Sequence, residues 1–174
     1  MIAAGYDPES NSDDRITCTV INVVLITLFA ISLAWIFIAF FILDLFQAVM
    51  FNALLAMSAL ILHIGMHMKK VRAIRLLLSG VLVTTSFSLN LMFGKQGAEP
   101  YAIIMLMTIL VIHPNLKEPG ALITVFACGA LLSASTIYAY FHNPIIPTTD
   151  EIKSIGYLST VLTTIAGAVT LMLA

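Results

Sequence analysis

Charged residues are scarce in this sequence. Its 174 residues include eight Lys or Arg and nine Asp or Glu, so 10% are charged and 60% are hydrophobic. Soluble domains carry roughly 25% charged residues. The formal net charge of −1 gives no support for nucleic-acid binding. We therefore expect neither a soluble globular domain nor a nucleic-acid partner.

Cysteine and catalytic motifs are also lacking. The two cysteines, Cys18 and Cys128, lie far apart without metal-type spacing, which favours two buried, unpaired thiols. No HExxH motif, Walker loop, dinucleotide fingerprint or nucleophile–base set is present. The polar, acidic N-terminus lacks the positive region of a secretory signal. The chain thus shows no catalytic machinery of its own, and we expect no cofactor in it.

Long apolar runs are what the sequence has in abundance, and mean hydropathy is +1.04. A membrane helix needs about 20 apolar residues. We predict an all-α membrane protein, a bundle of six transmembrane helices within 19–174 that follows a mobile cytoplasmic tail at 1–18. The predicted spans are approximately 19–41, 46–67, 76–93, 101–113, 121–141 and 155–174.

Positive charge in the short loops predicts the orientation. With a cytoplasmic N-terminus, six of the eight Lys and Arg residues lie inside: Arg15, Lys69, Lys70, Arg72, Arg75 and Lys117. Only Lys95 and Lys153 lie outside. We therefore expect both termini in the cytoplasm of a multi-pass protein.

Three histidines are expected near the inner membrane face. His63 and His67 are four residues apart at the end of the second span, and His113 ends the fourth. They are candidates for metal or haem ligation, or for sensing pH. The alternative is that histidines at this depth are solvated or bonded to loop carbonyls, and no carboxylate except Glu118 lies close by in sequence.

Polar residues in the three outer connectors form a second candidate site. Carboxylates that converge from different loops could hold a cation or the polar head of a small or lipophilic ligand. Ordinary loop solvation is the alternative. The candidate pocket residues are Asp44, Gln96, Glu99, Tyr101, His142, Asp150 and Glu151.

Small residues form a stripe along the sixth span. They are Gly156, Thr160, Thr163, Gly167, Thr170 and Ala174. Their spacings of 4, 3, 4, 3 and 4 give a 3.5-residue period, which keeps one seam against a partner helix. Membrane helices associate by close packing of small residues. The stripe therefore predicts a helix-packing seam, in the same chain or in a homodimer.

Polar residues inside the spans are few and uncharged. The second and third spans contain a few polar residues: Asn52, Thr84, Thr85, Ser88 and Asn90. Such groups usually face inward. No Asp, Glu, Lys or Arg lies in the middle of a predicted span, which argues against an ion-coupled pump or transporter.

From Phe46 to the end, the chain resembles the six-helix membrane domain of bacterial class III adenylyl cyclases of the mycobacterial type. Related six-helix inputs precede diguanylate cyclases and histidine kinases. The resemblance rests on Asn52 early in the second span, on a histidine and a basic loop at the end of that span, and on the Phe93–Gly94 turn before Tyr101. It also rests on the outer loop FHNPIIPTTD and on the sixth-span sequence IGYLSTVLTTIAGAVTLML.

The resemblance implies a dimeric anchor and possible receptor in the bacterial inner membrane, in contact with the lipid bilayer. In that family a catalytic domain that makes cyclic AMP follows the sixth helix, so we expect one beyond Ala174. A small integral-membrane transporter and a haem-binding membrane subunit are the alternatives.

The orientation is testable with single cysteines in a background that lacks Cys18 and Cys128. Because the loop charges place the N-terminus inside, an impermeant thiol reagent should label Gly97→Cys and not Ser12→Cys in intact cells. Membrane permeabilisation serves as the control and should expose both sites. Labelling of position 12 with protection of position 97 would reverse the topology.

Overall fold

The computed structural model describes residues 12–41, 44–94 and 98–144. Every regular element in these ranges is an α-helix, and they contain no β-strand. The helices are α1 (Ser12–Phe41), α2 (Phe46–His67), α3 (Val71–Phe93), α4 (Ala98–Ile112) and α5 (Pro119–Phe141). The all-α prediction is confirmed for the described residues, whereas the predicted sixth span lies outside them.

Four of the described helices are long and apolar enough to cross a membrane. The qualifying segments are Arg15–Phe41, Phe46–His67, Val71–Met92 and Pro119–Phe141. A helix rises 1.5 Å per residue, so about 20 residues match the ~30 Å hydrocarbon layer. The apolar part of α4, Ala102–Ile112, is shorter. These helices suggest a membrane-embedded protein.

Four helices begin earlier than hydropathy predicts. α1 begins at Ser12, α3 at Val71, α4 at Ala98 and α5 at Pro119, before the predicted starts at 19, 76, 101 and 121. The end of the expected tail is therefore helical, and residues 17 and 18 are buried. In α1, a serine followed by two aspartates favours a helix start, because such residues cap or electrostatically stabilise the first turn. Hydropathy marks the apolar core of a helix and not its polar ends.

Residue contacts divide the chain into two compact units, with the boundary between Leu78 and Ser79 inside α3. The first unit contains α1, α2 and the start of α3. The second contains the rest of α3 together with α4 and α5.

In the first unit, α1 and α2 form a helical hairpin. The chain reverses between Phe41 and Phe46, where the Leu45 N–H donates to the Ala39 carbonyl at 2.9 Å. Asp44 has a φ of 51° in this reversal, a conformation that Asp adopts more readily than most residues. The hairpin therefore places α1 and α2 side by side and antiparallel.

The buried face of α2 has a 3.5-residue period. Its residues at spacings of 4, 3, 4, 3 and 4 are Ala48, Asn52, Leu55, Ala59, Leu62 and Met66, and Ala56 is buried beside them. Among the buried residues of α1, Cys18, Ile21, Leu25, Ser32 and Ala39 fit the same period. This period is that of a left-handed helix crossing. Alanines on both faces let the two backbones approach closely.

In the second unit, α4 and α5 pack against each other. Pro119 opens α5 at a position where its missing N–H costs nothing. Gly94 ends α3 with a φ of +64°, and its N–H donates to the Asn90 carbonyl at 2.9 Å. A Cβ at Gly94 would also lie 3.3 Å from the Pro144 ring. Both the backbone conformation and the close approach therefore require glycine here.

The α1–α2 seam can be tested by overpacking. Ala59→Leu should lower the free energy of unfolding by about 1–3 kcal/mol, because a well-packed interface has no room for the larger side chain. Unfolding of the detergent-solubilised protein measures the effect. The matched control is Ala34→Leu, at an exposed position of α1. Equal stability of both variants would contradict the seam.

Candidate functional site

The two histidines of α2 face each other at its C-terminal end. The ring centroids of His63 and His67 are 5.4 Å apart and the ring planes are inclined by 84°. His63 is half-buried and His67 is exposed. The exposed residues Lys69 and Lys70 follow in the turn to α3. Both rings of this pair therefore belong to the C-terminal end of α2.

His113 has a different environment, directly after α4. It is only 4% exposed, and its Nε2 forms a 3.1 Å hydrogen bond with the Ser79 hydroxyl on α3. Its backbone N–H donates to the Ile109 carbonyl at 3.1 Å. His113 thus joins the end of α4 to α3 within the second unit.

In the part of the chain that the structure describes, no group of three or more His, Cys, Asp or Glu side chains is arranged to hold a metal ion. Cys18 and Cys128 are both buried, as expected, and form no disulfide.

The outer candidate residues fall largely outside the described residues. Asp44 is exposed in the α1–α2 reversal. The His142 ring stacks on Tyr138, with centroids 3.6 Å apart and planes 11° apart. Not described are Gln96, Asp150 and Glu151, and the side chains of Glu99 and Tyr101. The outer pocket therefore stays a prediction.

The small-residue stripe of the sixth span also lies outside the described residues. Its members are Gly156, Thr160, Thr163, Gly167, Thr170 and Ala174. The packing seam predicted there, and its choice of partner, likewise stay predictions.

Eight hydroxyl groups on the described helices bond their own helix. Each donates to the backbone carbonyl four residues earlier, which satisfies the hydroxyl locally. These residues are Thr19, Ser32, Ser58, Thr84, Thr85, Thr108, Thr124 and Thr136. The amide nitrogens of Asn22 and Asn52 donate to Cys18 and Ala48 in the same way.

Asn90 departs from this pattern. Its Nδ2 donates to the Ser135 hydroxyl at 2.5 Å, which links α3 to α5. Asn90 is 2% exposed and Ser135 is 3% exposed. Ser86, four residues before Asn90, has no exposed surface. The Ser86 Oγ and Asn90 Oδ1 atoms are buried and have no hydrogen-bond partner.

We name Ser86, Asn90 and Ser135 the α3–α5 polar cluster. Of these, sequence reasoning identified only Asn90, as an inward-facing polar residue. The available signal was that Ser86 and Asn90 are four apart and so share a helix face. Of the other polar residues named with Asn90, Asn52 and Thr85 are buried, Ser88 is half-buried and Thr84 is exposed.

No known protein family, curated protein or solved structure matches the chain in the comparisons made. The site must therefore be interpreted from its own chemistry. The Ser79–His113 and Asn90–Ser135 contacts are made by hydroxyl, imidazole and amide groups. Such groups can bind or exchange hydrogen bonds.

The Ser79–His113 bond should be measurable with a double-mutant cycle of Ser79→Ala and His113→Phe. We expect a coupling of about 0.6 kcal/mol, the average for interhelical hydrogen bonds in membranes, and no more than the maximum of about 1.7 kcal/mol. Unfolding free energies of the four proteins give the value. Thr84→Ala combined with His113→Phe is the control, since the exposed Thr84 bonds only its own helix. Additive effects for the Ser79 pair would show that this contact contributes nothing.

Proposed function

We propose that this chain is the membrane-embedded input domain of a signalling enzyme, and specifically of a membrane-bound class III adenylyl cyclase. It anchors the enzyme, brings two copies together and relays a change in helix packing to catalytic domains beyond Ala174. The resemblance that begins at Phe46 supports this function. The neutral, hydrogen-bonded interior of the described helices supports it independently.

One observation carries most weight: no Asp, Glu, Lys or Arg is among the fully buried residues of the described spans, and the half-buried Arg75, whose Nε atom is buried, lies near the start of α3. Pumps and ion-coupled transporters generally place a titratable group at membrane depth. In the described spans, Lys and Arg occur only near helix ends, at Arg15, Arg72 and Arg75. Apart from histidines, no acidic or basic side chain occurs in 16–41, 46–67, 76–92 or 119–141. An interior of this kind favours movement of helices over transport of ions.

Signal relay by helix packing needs contacts with more than one stable arrangement. The α3–α5 polar cluster and the Ser79–His113 bond are such contacts, because amide and hydroxyl groups can exchange partners. The stimulus in this proposal is a small or lipophilic ligand, or a cation, that reaches the outer side. A homodimer is required, since class III cyclases form each active site from two catalytic domains.

A fusion protein tests this function. Residues 1–174 are joined to the isolated catalytic domain of a class III adenylyl cyclase. Because the membrane domain pairs the catalytic domains, cyclic AMP synthesis per catalytic domain should exceed that of the isolated domain at the same dilution. Membrane fractionation and crosslinking follow insertion and dimerisation.

Gly167→Leu in this fusion protein should reduce both crosslinking and cyclic AMP synthesis, because a bulky side chain disrupts a close-packed seam, at a cost of about 1–3 kcal/mol. Ala168→Leu, next to the stripe and outside it, is the matched control. The proposal fails if the inserted fusion protein stays monomeric and is no more active than the isolated catalytic domain. An unchanged Gly167→Leu variant would reject only the seam.

A further inference from the structure

The three buried asparagines of the described helices differ in the group to which the side-chain nitrogen donates. Asn22 and Asn52 donate from Nδ2 to the carbonyl four residues earlier. Asn90 instead donates to Ser135 on another helix, and its Oδ1 has no partner. Mid-helix backbone N–H groups are already bonded within the helix, so the helix itself has no donor to offer this oxygen. The donor must come from elsewhere.

Ser86 shows the same deficit on the same face of α3. Other hydroxyls on these helices bond the carbonyl one turn earlier. The Ser86 Oγ instead has no hydrogen-bond partner, although Ser86 is fully buried. Side chains four residues apart on a helix have Cβ atoms about 5–6 Å apart. Two hydrogen bonds of about 2.8 Å span such a gap. One small molecule between the two side chains can therefore contact both.

We propose that the α3–α5 polar cluster binds one small neutral molecule, a water, which bridges Ser86 and Asn90 beside the Asn90–Ser135 bond. Water donates to Asn90 Oδ1 and exchanges a second hydrogen bond with the Ser86 hydroxyl. Buried waters typically make about three hydrogen bonds to otherwise unsatisfied polar groups. The proposed signalling function uses the same cluster, but the binding of water there does not depend on that function.

The chemistry of the cluster limits the ligand. A metal cation would bring a charge into an apolar interior, and none of the three cluster residues carries a compensating carboxylate. A larger organic ligand needs an open cavity, whereas these residues are between 0% and 3% exposed. Water both donates and accepts, so it matches an amide oxygen and a hydroxyl at once.

A reversed Asn90 amide is the competing arrangement. Its oxygen would then accept from the Ser135 hydroxyl, and its nitrogen would donate to the Ser86 carbonyl, as Asn22 and Asn52 do with theirs. That arrangement needs no bound molecule at the amide oxygen. The two arrangements therefore differ in whether water contacts the Asn90 side chain.

Water-edited solid-state NMR of the full chain in lipid bilayers distinguishes them. With ¹⁵N-labelled asparagine, the Asn90 side-chain amide should receive magnetisation from water faster than that of Asn52, a buried asparagine on another apolar helix. Loss of one signal in Asn90→Ala assigns it. Equally slow transfer at Asn90 and Asn52 would overturn the proposal.

Ser86→Ala provides a second, independent measurement. If the hydroxyl binds water, its removal should slow water transfer to Asn90 and lower the midpoint of thermal unfolding. If the hydroxyl is merely unsatisfied, its removal should raise that midpoint, because a buried polar group without a partner is costly. Ser32→Ala is the matched control, since that buried hydroxyl bonds its own helix.

Replacement of sodium by choline in the buffer tests the ligand's charge. The Asn90 side-chain signals should not shift. A shift that follows sodium concentration would overturn water as the ligand and indicate a cation.

Discussion

Polar groups in an apolar interior must find their hydrogen-bond partners inside the protein, because lipid supplies none. Helices meet this requirement for the backbone. Most helical hydroxyls meet it by bonding the carbonyl one turn earlier, as Ser32 does with Leu28 and Thr85 with Val81. Two side-chain bonds of the described residues instead link separate elements, at Ser79–His113 and Asn90–Ser135.

Close packing explains the rest of the described architecture. Within a membrane, apolar side chains gain little by leaving lipid for one another, so helices associate through fit. The α1–α2 hairpin achieves this with alanines such as Ala39 and Ala59 on its buried faces. Gly94 shows the same principle at a helix end, where Pro144 lies too close for a side chain. Small residues at specific positions therefore determine the packing more than total hydrophobicity does.

Hydropathy and loop punctuation were sufficient to predict the helical class and the long apolar helices. They missed the start of α1 at Ser12, because hydropathy scores the polar first turn of a helix as part of the tail. The 3.5-residue period of the buried face of α2 was available in the sequence. It is hard to recognise there, because the residues on that face share no single property and include both the polar Asn52 and the apolar Met66. The partner of His113 was not predictable, since Ser79 lies 34 residues away. Spacing along one helix identifies a face and not what the face contacts.

Weak contacts can be an advantage for a domain that transmits a signal. An interhelical hydrogen bond in a membrane contributes about 0.6 kcal/mol on average, which is close to thermal energy. Losing one such bond and forming another therefore changes the total free energy little, whereas a buried ion pair would resist the exchange. The Asn90 amide donates to the Ser135 hydroxyl, and a reversed amide would accept from the same hydroxyl. An interior built from neutral groups can thus hold helices in place and still allow them to change register, which a charged interior would oppose.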